Sequence, residues 1–156
     1  MLLDDDWLGL LASTGGHIVG FRAADGRPFV CRGWGVRVDP GGATAVELVA
    51  AAEVALLGYA GDELVGTSVA VTGSDIRTLR SIQLKGVVES VAPVTAHDLE
   101  LHRRYVDAFF EAVETVDHIP RALMERWLPD ALVACTFRVV EAYDQTPGPG
   151  AGKAIA

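Results

Sequence analysis

The chain has 156 residues, half of them hydrophobic and 22% charged, and a formal net charge of −8. That length suits one domain with a real core, and the composition excludes a disordered chain. An acid excess with no basic run excludes a nucleic-acid partner and suits the binding of a small molecule or another protein.

The N-terminus, MLLDDDWLGLLAS, has no basic residue before its apolar part, so it does not read as a secretory signal. Residues 1–12 read instead as a short N-terminal helix, with acids in the first turn and Trp7, Leu8, Leu10 and Leu11 available for burial. Ser13 to Gly16 breaks it. HIVGFRAA and RPFVCRGWGVRV are strand-like runs joined by the turn signal Asp25-Gly26. Asp39-Pro40-Gly41-Gly42 turns the chain into a third strand, ATAVELV. Ala51 to Tyr59 is helix-prone and Gly61 can close it. The apolar run from Ala43 to Ala60 carries Glu47 and Glu53, which argues against a membrane span and for a strand leading into a helix. With no export signal and no span, a cytoplasmic location is expected.

GTSVAVTG is the next strand, Ser74 to Arg77 a loop, and TLRSIQLKGVVESV a long strand that Pro93 ends. Thr95 and Asp98 form a capping box for a helix whose Leu99, Val106, Phe109, Phe110, Val113 and Val116 share one stripe. Pro120 to Leu128 reads as a short helix and Leu132 to Tyr143 as the last strand. Residues 145–156, QTPGPGAGKAIA, read as an irregular tail. The whole of 1–156 is predicted to be a single mainly β domain: an antiparallel barrel with inserted helices and a helical cap.

Phosphate-loop, dinucleotide and nucleophile-elbow motifs are absent, and no spacing singles out a catalytic triad. No metal site is expected from four scattered histidines, and Cys31 and Cys135 read as buried free thiols. Two stretches remain. Arg32-Gly33-Trp34-Gly35 puts two glycines inside a strand, which calls either for a bulge or for close approach of backbone to a flat ligand beside the Arg32 charge. In the second, Ser81, Gln83 and Lys85 alternate with Ile82 and Leu84, with Arg80 grouped on the apolar side. They form either a solvated face or a row of donors for a ring edge and a phosphate.

The order of these strands, with the segment Arg80-Ser81-Ile82-Gln83-Leu84-Lys85-Gly86, resembles the pyridoxamine 5'-phosphate oxidase-like family of FMN-binding split β-barrels. The closing residues Tyr143 to Gly150 resemble the end of a family subgroup. The resemblance implies a homodimer with FMN in a groove between subunits. It implies Arg32 and Arg80 on the phosphate, Thr78 and Ser81 as hydroxyl donors, and Gln83 and Lys85 on the ring or phosphate. Gly33 and Gly35 would allow close approach, and Trp34 would pack near the ring, in the core or at the dimer interface. Catalytic residues are not identified, because the flavin itself would carry the hydride chemistry.

Many relatives have a basic Ser-Arg-Lys after the third strand, where this chain has Ala50-Ala51-Ala52-Glu53. The tail also lacks the arginine and histidine of authentic pyridoxamine phosphate oxidases. The expected function is therefore a flavin-dependent oxidoreductase without vitamin B6 oxidase activity. The alternatives are a non-catalytic barrel (flavin carrier, sensor or cofactor-free), a deazaflavin binder, or a haem-handling relative for which His17, His97, His102 and His118 offer no clear ligand.

Overall fold

A computed structural model of the chain describes residues 3–13 and 15–155. Met1, Leu2, Thr14 and Ala156, which fall in the expected N-terminal helix, its break and the tail, lie outside the described residues. Helix α1 (Asp5–Leu11) is capped by Asp4, whose carboxylate accepts the Trp7 amide. Strands β1 (Gly16–Arg22), β2 (Pro28–Val38) and β3 (Thr44–Ala50) form the expected antiparallel meander. After α2 (Ala51–Ala55) come β4 (Ser68–Ser74) and β5 (Ser81–Pro93). Helices α3 (Ala96–Asp117) and α4 (Arg121–Met124), with a 3-10 turn over Glu125–Trp127, lead to β6 (Leu132–Asp144) and a two-residue β7 (Lys153–Ala154).

The sheet order is β3-β2-β1-β4-β5-β6-β7, and β3 also pairs with β6. That last pairing closes six strands into an antiparallel barrel and leaves no open edge between β3 and β6. Alternate residues such as Val19, Val71, Leu84 and Phe137 fill the barrel and are fully buried. A second core lies outside the wall, where Phe109, Phe110, Val106 and Val113 of α3 pack on Trp34, Val46 and Leu48. Fully burying a side chain such as Phe110 contributes ~1.5–3 kcal/mol, which is what holds the helical cap to the barrel.

Four expectations need correction. The helix after β3 ends at Ala55, not Tyr59. Leu57 turns inward to 1% exposure and its carbonyl accepts the Ala24 amide, while Gly58 adopts a φ of 77°. Burial of one leucine thus overrides local helix propensity. The long strand starts at Ser81, not Thr78. Asp75 accepts the amides of Arg77 and Thr78 and the Thr78 hydroxyl, which winds 75–79 into a turn with Leu79 at φ 61°. The α3 stripe is shorter than its periodicity: Leu99 and Val116 are 45% and 41% exposed. They sit near the ends of a 22-residue helix, about 33 Å long at 1.5 Å per residue, whose buried apolar residues run from Tyr105 to Val113. The tail is not wholly irregular. Beyond Arg138 the flank of β6 has lost β3 as a neighbour, and β7 pairs there with Tyr143 and Asp144.

Cys31 and Cys135 are both buried and unpaired, and burial pushes each thiol up to about 12. Neither should react with a thiol reagent at pH 8 in the folded protein, and both should react in denaturant. Rapid labelling of native protein, followed by mass spectrometry, would contradict this placement.

Candidate functional site

Both glycines of Arg32-Gly33-Trp34-Gly35 are explained by the buried carboxylate of Glu47. The β2–β3 register shifts between Gly33 and Val36, so the stretch is a bulge. A Cβ on Gly33 would stand 2.3 Å from Glu47 Oε1 and 2.8 Å from the Cβ of His17. Gly35, at φ 137°, donates its amide to Glu47 Oε1 at 3.3 Å. His17 and Glu47 are 0% and 1% exposed. Both carboxylate oxygens lie 3.4 Å from His17 Nδ1, and His17 Nε2 meets the Leu11 carbonyl at 3.1 Å. One buried pair therefore fastens β1 to β3 and to the last residue of α1. Burial raises the Glu47 pKa, and His17 and the backbone donors pull it back only in part.

Arg32 and Trp34 of the bulge line a cavity of about 480 Å³ together with Ala50, Ala52 and Glu53 and with Trp127 to Ala131. The Arg32 guanidinium lies 4.2 Å from the Phe109 ring centroid and 5.4 Å from that of Trp34. Its Nε and Nη2 are sealed from solvent, Nη2 beside Gly16, and have no hydrogen-bond partner among the described residues. The buried Tyr105 hydroxyl is close enough to feel this charge but meets no hydrogen-bond geometry with it; burial pushes that phenol up to about 12 against the pull of Arg32. Cation–π contacts stabilise Arg32 by ~1–2 kcal/mol when desolvated, less than an ion pair with hydrogen bonds supplies. Arg32 is half-buried and is the one basic side chain lining the cavity, where its charge can meet an anion or a carbonyl edge.

The other sequence-predicted residues divide between two places. Arg32, Ile18, Thr72, Gln83 and Tyr143 are successive register partners across β2, β1, β4, β5 and β6. The adjacent row is Val30, Gly20, Ala70, Lys85 and Glu141. Arg32, Gln83 and Lys85 thus share the outward face of the barrel, although about 14 Å of sheet separates Arg32 from Gln83 at ~4.8 Å per strand. Gln83 Nε2 donates to the Thr72 hydroxyl at 3.0 Å, and the Lys85 ammonium stands 4.6 Å from the Tyr143 ring centroid. Ser81 is buried and donates to Ser74 Oγ at 2.8 Å. Thr78 belongs to the Asp75 turn. Arg80 lies outside the strand, so it does not share the inward face of Ile82 and Leu84. It forks onto Asp6 of α1 at 3.2 and 2.6 Å and covers the Trp7 ring. Arg80 and Thr78 do not line the Arg32 cavity.

No protein-family profile matches the chain, and no curated protein sequence does either. Solved structures do resemble it. An F420 reductase aligns with a TM-score of 0.55 at 18% identity, over 90% of this chain and 98% of that one. A Clostridium acetobutylicum protein related to general stress protein 26, of the pyridoxinephosphate oxidase family, aligns with a TM-score of 0.51 at 12% identity, over 93% and 92%. HupZ of Group A Streptococcus gives 0.52 at 12% identity, over 96% and 100%. The fold is the pyridoxamine 5'-phosphate oxidase-like split β-barrel. At these identities the likeness is one of fold.

Within this split barrel, sequence reading missed Glu47, His17 and Tyr105 as a buried polar group. A signal existed for the first: one acid in the otherwise apolar run ATAVELV. Trp127 and Asp130 carried no such signal, because they join the cavity through the tertiary fold. His17 is closed to a haem iron, since both its ring nitrogens are engaged inside the core. His102 commits Nδ1 to the Trp34 carbonyl at 2.9 Å. No helix among the described residues is long and apolar enough to cross a membrane.

Proposed function

We propose that this split barrel binds a flavin-type cofactor and acts as an oxidoreductase, with the ring edge seated at Arg32. The observation that supports this most is Arg32 itself, whose guanidinium is the one basic group among the residues that line a cavity with Trp34 and Trp127 in its walls. A flat ring with carbonyl oxygens and an ionisable imide fits such a group and such walls. When bound, the flavin would supply hydride transfer. Arg32 would hold the carbonyl edge and offset negative charge as it develops there. Trp34, 3% exposed and packed on α3, would fix the angle of Arg32 rather than touch solvent.

A homodimer completes the proposal. Ile18, Val30 and Val140 are 47%, 65% and 49% exposed on the outward side of the barrel, an apolar surface suited to a second copy. Gln83 and Lys85 on that side would then face the partner or the far end of the ligand.

The donor set does not fit a terminal phosphate. Ala50, Ala52 and Glu53 line the cavity where a basic group would be wanted, and Asp130 lines it as well. This favours, as second reading, a barrel that carries or senses a ligand without catalysis. Arg32→Met separates ligand role from structural role. An open buried cation stabilises the fold little, so this variant should match or exceed native stability by up to ~1 kcal/mol. Its riboflavin affinity, read by fluorescence titration, should fall at least roughly tenfold, the loss of one charge-assisted bond. Unchanged affinity would remove Arg32 from the site. Absence of any flavin binding to native protein would remove the cofactor reading.

A further inference from the structure

We propose that the Arg32 cavity accepts a ligand through a singly charged anionic group and rejects a dianion such as a terminal phosphate. The inference rests on the cofactor reading for its place, and it specifies the charge of what enters. Three ionisable side chains line the cavity: Arg32, Glu53 and Asp130. Their formal sum is −1 before a ligand arrives. Neither carboxylate pairs with the arginine, whose Nε and Nη2 have no hydrogen-bond partner among the described residues. The guanidinium therefore offers one positive charge, while two carboxylates line the same space.

A monoanion gains the arginine at the cost of two repulsions. A dianion doubles both terms and adds its larger desolvation, with no second cation to meet it. Water at the mouth weakens these effects, and burial, which disfavours the charged form of Glu53, weakens that group's share further; neither changes their order. The remaining walls are Trp34, Trp127, Leu128 and Pro129, which suit an aromatic body. Carboxylates, sulfonates, phosphodiesters and ionised ring imides satisfy these conditions. Monoesters of phosphate do not.

Two probes share a ring system and differ in charge. Naphthalene-1-sulfonate is a monoanion, and 1-naphthyl phosphate is mostly a dianion at pH 8 because its second ionisation lies near pH 6. Calorimetric titration of the full chain should show the sulfonate binding roughly tenfold more tightly. Combining Glu53→Gln with Asp130→Asn should bring the ratio below about twofold, and Arg32→Gln should weaken both probes. Equal or tighter binding of the phosphate ester, or no binding of either probe, would overturn the inference. A flavin panel separates this from the cofactor reading. FMN binding tenfold more tightly than riboflavin would sink the charge rule and keep the flavin. Selective probe binding with no flavin bound would do the reverse.

Discussion

Gly33→Ala is expected to destabilise the protein by more than ~3 kcal/mol, enough to leave a marginal domain partly unfolded. The added methyl would lie 2.3 Å from Glu47 Oε1, 2.7 Å from its Cδ and 2.8 Å from the His17 Cβ. Flexible surface chains can swing away from such an intrusion. These cannot, because both are sealed in the core and tied to each other, to Gly35 and to Leu11. Urea denaturation with a circular dichroism readout measures the loss. Shortening the obstacle should return part of it: Gly33→Ala combined with Glu47→Ala should be less destabilised than the sum of the single variants. A loss under 1 kcal/mol for Gly33→Ala alone, or strict additivity, would show that the glycine is not there to admit the carboxylate.

Glu47→Ala should cost ~3–5 kcal/mol, since it removes one member of a buried ionisable pair and orphans the other. His17 Nδ1 and the Gly35 amide would both lose their hydrogen-bond partner, and α1 would loosen through the Leu11 carbonyl. Glu47→Gln keeps size and an acceptor oxygen, so a loss of ~1–3 kcal/mol is expected. The two variants also differ from native protein in pH dependence. Burial raises the Glu47 pKa above that of an ordinary carboxyl group. The folded chain then keeps a proton that the unfolded chain releases. Stability from this source is full below the unfolded pKa and drains as pH rises through the folded one. Glu47→Gln does not titrate and should lose that slope. An identical pH profile for native and Glu47→Gln protein would mean that the carboxyl is not held protonated by its surroundings.

The two variants bear on the same question as Arg32→Met from opposite sides. Gly33 and Glu47 hold the bulge, and Arg32 is what the bulge presents. Stability should collapse for the first two and hold for the third, while ligand binding should fail for all three.

Much of this was written in the chain itself. Alternation of Ile82, Gln83 and Leu84, the Asp25-Gly26 turn and the Thr95–Asp98 capping box each depend on neighbours a few residues away, so β5, the first hairpin and the start of α3 follow from local chemistry. Arg32 could be singled out because glycine is costly inside a strand and asks for a reason. The reason itself was not local. Glu47 is fourteen residues beyond Gly33, and its carboxylate meets the bulge because β3 pairs with β2 in one register. Arg80 shows the converse. Its place at the head of an alternating run suggested a ligand, but Asp75 winds the preceding residues into a turn and Asp6 takes the charge.

Composition and short-range pattern determined that this is a barrel with a helical cap, because hydrogen-bond alternation and capping act over one to four residues. Barrel closure by β3 and β6, the meeting of Glu53 and Asp130 at one cavity, and the unpaired buried donors of Arg32 were decided by tertiary structure alone. Burial and unmet charge are properties of a place in space, and a place in space is shared by residues that the chain keeps far apart.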